Sequence, residues 1–157
     1  MSAKHVFDHA PIGSIVAWSD GIPRPPERHR KKLSAWQTNN SRGRLIQKQD
    51  ERRIGNVVLS AGFTLHEVDF GRGGVTVIRV HRTFSADSAL QFTVVECPPV
   101  GSVRIFDRAD PGRELVHLAM SRADAEAWLG RHAHPHAVLE EISTSDVGAT
   151  EVEGRAA

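Results

Sequence analysis

Tyrosine is absent from the 157 residues, cysteine occurs once and methionine twice. A single cysteine excludes an intramolecular disulfide and any zinc site built on several thiolates. Cys97 closes an apolar run just before Pro98 and Pro99, which reads as a small core residue. No local pattern supplies the base that a nucleophilic thiol needs. There is no run of about 18 apolar residues, so no membrane span is expected. The opening MSAKHVFDHA lacks an apolar signal core. Together with the free thiol, this leads to the expectation of a cytoplasmic protein. Signatures of known chemistry are missing too: no GxxxxGK[ST] loop, no GxSxG, no HExxH and no zinc finger. Gly71-Arg72-Gly73-Gly74 is followed by strand rather than helix, so it reads as a turn and not a phosphate loop. No cofactor is expected.

What the chain does have is an uneven distribution of charge. The total is only +1 and the isoelectric point is near 8.1. Residues 22–53 nevertheless carry ten basic side chains against Glu27, Asp50 and Glu51. The residues from 140 onward carry five acids against Arg155. A nearly neutral body thus separates a basic segment from an acidic tail. Such a segment points to an anionic partner. Arginine outnumbers lysine sixteen to four. That bias is common in GC-rich bacterial genomes, and phosphate recognition also favours it.

Local patterns predict an α+β fold: an antiparallel β-meander sheet with one basic N-terminal helix and one C-terminal core helix. Strands are expected at 13–19, 44–49, 57–59, 63–70, 75–84, 90–97, 103–106, 115–120 and 137–143. The pair 57–59 and 63–70 is expected to form a hairpin, and 50–53 a charged loop. Pro25 and Pro26 fit the first turn of a helix running to Thr38, with His29, Leu33 and Trp36 on one side. Ser121 is placed to cap a helix from Arg122 to Arg131, with Asp124 three residues on. A single α+β domain over 1–144 is expected, with the basic segment 22–53 packed on a mainly β body. Residues 145–157 are small, acidic and aperiodic, and read as a disordered tail.

The basic segment carries the main functional candidates. Arg28, Arg30, Lys31, Lys32, Arg42 and Arg44 suit phosphate contacts, and Trp36 either stacks on a base or pins the helix. The leading expectation is a non-enzymatic bacterial protein that meets nucleic acid or a nucleic-acid-handling complex. The alternative is a phage or plasmid inhibitor or adaptor docking on an acidic protein surface, by the same charge logic. A second alternative is metal binding. His132, His134 and His136 alternate and share one side of an extended segment. Against this, the segment follows a helix end and contains Pro135, so the rings need not converge. His66, His81 and His117 fall in predicted strands. With Glu67, Asp69 or Glu96 they form a possible acid–base cluster, although satisfied strand histidines are commoner.

Overall fold

A computed structural model describes residues 1–73 and 75–148. The fold is α+β with antiparallel strands, as the hydrophobic patterns lead one to expect. Ser2 opens helix α1 (Ala3–His9), its side chain accepting from the His5 amide. Ala3, Val6 and Ala10 bury one face of that helix. Strand β1 (Ile15–Ser19) follows, then α2 (Arg30–Asn39) and β2 (Ser41–Gln49). A short hairpin, β3 (Arg52–Ile54) and β4 (Val57–Leu59), leads into the long strands β5 (Gly62–Arg72) and β6 (Val75–Ser85). Next come β7 (Gln91–Glu96), β8 (Val103–Phe106) and β9 (Leu115–Ala119). Helix α3 (Arg122–Arg131), β10 (Val138–Glu141) and α4 (Thr144–Gly148) complete the described chain.

Five strands form the main sheet in the order β6-β5-β2-β1-β7. Its core gathers Trp18, Phe63, Phe92, Leu45 and Leu65 beneath α1, with Phe84 partly buried against them. Phe63, Phe84 and Phe92 meet at 5.2–5.8 Å between ring centroids, in tilted and edge-on contacts that aromatic rings favour. A second sheet, β10-β8-β9, carries α3 on one face. Its central strand β8 is buried at every position, Arg104 included. Ile46 of β2 packs with Phe106 and Leu115 of the second sheet, which joins the two.

Several expectations need correction. Residues 57–59 do not pair with 63–70. They pair with 52–54, in the segment expected to be a charged loop. Gly55 takes a φ of 60°, which a two-residue hairpin loop admits at its first position when that residue is glycine. Strand β5 pairs with β2 and β6 instead. Helix α2 starts at Arg30 rather than Pro26, because 26–29 form a turn closed by the His29 amide on the Pro26 carbonyl. The basic segment does not all pack on a separate β body: β2, which lies within it, is in the middle of the main sheet. The expected tail begins as helix α4, where Asp146 accepts from the Ser143 amide and pairs with Arg104. Residues 149–157 of that tail, and Gly74 of the expected turn, lie outside the described residues.

Candidate functional site

Helix α2 is an excursion between two neighbouring strands of the main sheet, and none of its residues is buried. Its expected core side, His29, Leu33 and Trp36, is exposed to half-buried. Hydrogen bonds at its base hold it instead. The Trp36 indole donates to the Ile22 carbonyl at 2.6 Å, and the Trp18 indole to that of Thr38 at 3.1 Å. Asn40 donates to Asp20 at 2.9 Å and to the Trp36 carbonyl at 3.0 Å. The Asn40 bond, with help from the Ile22 amide, holds the Asp20 carboxyl below its ordinary range. Trp36 therefore pins the chain through its nitrogen.

The cations of this segment differ in how free they are. Arg24 reaches Glu27 at 3.5 Å, and Arg28 donates to the His29 ring at 3.2 Å. Arg30, Lys31 and Lys32 are exposed and, among the described residues, make no ion pair. Arg42 is exposed on β2. Arg44 is half-buried and donates to the Gly13 carbonyl at 2.6 Å, so part of its guanidinium is structural.

Arg44 also begins a second arrangement that sequence reasoning only partly assembled. Strand register aligns Arg44 of β2 with His66 of β5, and His66 with His81 of β6. Cross-strand partners share a face, so the three form one row across the sheet. Beside it, Asp69 of β5 is the register partner of Arg79 of β6. The His66 Nε2 lies 2.7 Å from an Asp69 oxygen, and the Arg79 Nε 3.6 Å from the same oxygen. His66 and His81 meet edge to face at 5.6 Å.

This row forms one wall of a cleft of about 570 Å³. The other wall comes from the second sheet and α3, with His117, Trp128, His132 and His134. Trp128 stacks with His132 at 4.1 Å, His117 at 4.8 Å and His134 at 5.3 Å. The His132 Nδ1 also bonds the Trp128 carbonyl at 2.9 Å. Burial lowers the His117 pKa from its ordinary 6.5, and the nearby His132, Arg44 and Arg131 push it the same way. The neutral form of His117 is thus favoured.

The His132–His136 segment does not act as a unit. His132 and His134 line the cleft, while His136 is exposed and outside it. Among the described residues, no three of His, Cys, Asp or Glu are grouped to hold a metal ion. A shallower depression of about 420 Å³ continues past Arg44 and His66 to Arg42, Glu67 and Glu96. No described helix is long and apolar enough to cross a membrane.

Fold and site thus define a small, mostly antiparallel α+β protein with an exposed basic helix and a histidine-lined cleft between two sheets. The chain belongs to the family described as uncharacterised conserved protein UCP036055, which it matches over residues 1–146. No curated protein and no solved structure matches it.

Proposed function

We propose that the protein binds nucleic acid through α2, the turn before it and the start of β2, with Arg28, Arg30, Lys31, Lys32 and Arg42 holding phosphates. One observation carries the reading: α2 buries none of its residues, yet displays three cations that no described acid neutralises. A helix that adds nothing to the core still costs chain entropy to order. Its charges also repel one another while no anion is bound. Phosphates relieve that repulsion and release counterions from the nucleic acid. Trp36 acts as the pin of the arm, since its indole nitrogen is spent on Ile22.

The test is fluorescence anisotropy with labelled single- and double-stranded DNA and RNA across a salt series. Five phosphate contacts predict a slope of log K against log salt of about −3.5 for single strands and about −4.5 for duplex. The triple variant Arg28→Glu, Lys31→Glu, Lys32→Glu should lose binding and keep its circular dichroism spectrum, because all three positions are exposed. Absence of binding at low salt would sink the proposal. The arm would then be a docking face for an acidic protein, to be sought by pull-down with the same variant as control.

A further inference from the structure

Five of the chain's nine histidines line one cleft together with Arg44 and Arg79. They come from β2, β5, β6, β9 and the segment after α3, so chain proximity does not account for their meeting. Groups that carry or acquire positive charge repel when held close. The acids in the lining are Asp69 and Glu114. Asp69 already faces His66 and Arg79. Arg44 is bonded to a neutral carbonyl and, among the described residues, makes no ion pair, although Glu67 and Glu96 line the depression on its far side. Arg131, at the end of α3, adds another positive charge near His117. An anion between the walls would remove this repulsion and accept hydrogen bonds from both.

The donor geometry selects the kind of anion. A carboxylate has two coplanar oxygens, which one guanidinium fork satisfies. Here the donors stand on three strands of one sheet and on the opposite wall, which suits the tetrahedral oxygens of a phosphate. Ile46, Leu118 and Trp128 supply apolar surface beside them. The volume lies in the range of small-molecule sites, about 300–1,000 Å³. We propose that the cleft is a binding site for a phosphate monoester of a small organic molecule. The phosphate lies between the Arg44–His66–His81 row with Arg79 and the imidazoles of His117 and His132.

An anion in the cleft opposes the burial that disfavours the charged form of His117, so binding should be tighter at lower pH. The charged and titratable groups facing the site are Arg44, His66, Asp69, Arg79 and His81 on one wall, and Glu114, His117, His132 and His134 on the other. Histidine is the side chain whose charge ordinarily changes between about pH 5 and pH 8.

The experiment follows histidine ring resonances by NMR during titration with inorganic phosphate, adenosine monophosphate and acetate. Expected are saturable shifts of His66, His81, His117 and His132, with dissociation constants of about 1 mM or below for the monophosphate. Acetate should bind at least about tenfold more weakly. Sulfate, whose charge is constant between about pH 6 and pH 8, should bind more tightly at the lower value. The double variant Arg79→Gln, His81→Gln should lose the shifts, and both positions are exposed enough for the fold to survive. His134→Gln, on the opposite wall, provides a second variant. The charge reversal at Arg28, Lys31 and Lys32 should leave phosphate binding unchanged, so this site and the nucleic-acid arm fail separately. Non-saturable shifts, acetate binding as well as phosphate, or unchanged binding in the double variant would each overturn the assignment.

Discussion

Arg104 offers the sharpest test of how the second sheet is held. It sits on β8 with 5% of its surface exposed, an unusual place for a guanidinium. It reaches a Glu140 oxygen on β10 at 2.9 Å and Asp146 of α4 at 3.5 Å, and it donates to the Ile12 carbonyl at 3.3 Å. One side chain thus ties β8 to its neighbour strand, to the last described helix and to the loop before β1. Replacing Arg104 with alanine removes the shared cation and leaves a void. Breaking a buried ion pair from one side costs about 3–5 kcal/mol. Glu140 keeps Arg113 at 2.7 Å, and both acids are partly exposed. These facts place the loss at the lower end, about 3 kcal/mol. For a chain of this length that lowers the melting temperature by about 6–12 °C. Urea unfolding followed by the fluorescence of the three tryptophans measures it. Arg104→Lys keeps the charge but not the fork, so it should recover less than half of the loss. A cost below about 1 kcal/mol for the alanine variant would refute the argument, because the pairs would then behave as solvated surface pairs.

Lys48 tests the opposite case. Burial depresses its pKa from 10.5 to about 8, with Asp8 opposing the shift and Arg104 adding to it. The unfolded chain therefore holds this proton more tightly than the folded one, and stability rises with pH between the two values. Lys48→Met should add about 1–2 kcal/mol at pH 7 after allowance for partial exposure. Since the lysine penalty fades as pH rises from 8 to 10.5, the variant's advantage should fade with it. A gain that stays constant with pH in chemical denaturation would refute the burial argument. Gly43 is set by close approach: a Cβ there would lie 2.7 Å from the His66 carbonyl oxygen. Gly43→Ala should push β2 from β5, cost about 1–3 kcal/mol and weaken phosphate binding in the same titration, with the loss of stability read by urea unfolding.

Where local rules decide the structure, the elements were readable. The Ser121 cap bonds the Asp124 amide as its spacing implies, and α3 runs over the expected residues. Helix α1 was equally open to reading from Ser2 and the buried Ala3, Val6 and Ala10. So was the β3–β4 hairpin from Gly55-Asn56. The face of α2 misled because Leu33 and Trp36 have helical spacing, yet hydrogen bonds at Trp36, Thr38 and Asn40 hold the helix and neither side chain is buried. The cleft could not be read from spacing. Arg44, His66, His81 and His117 become neighbours through strand register and the packing of one sheet on another, and register is a property of paired strands. His66, His81 and Asp69 were candidates for a cross-strand cluster, but nothing local showed that Trp128 and His132 would face them.

The two candidate surfaces meet on β2. Helix α2 ends at Asn39 and β2 starts at Ser41, so Arg42 continues the arm while Arg44 enters the histidine row. Arg44 and His66 line both the deep cleft and the shallower depression beside Arg42. A substitution at either would disturb both surfaces and separate nothing. Lys31 belongs to the arm and Arg79 to the cleft, so loss of oligonucleotide binding in one variant and of phosphate binding in the other is the pattern two independent sites require. If both variants lost both ligands, the arm and the cleft would have to be parts of one nucleic-acid path, with the backbone entering over Arg42.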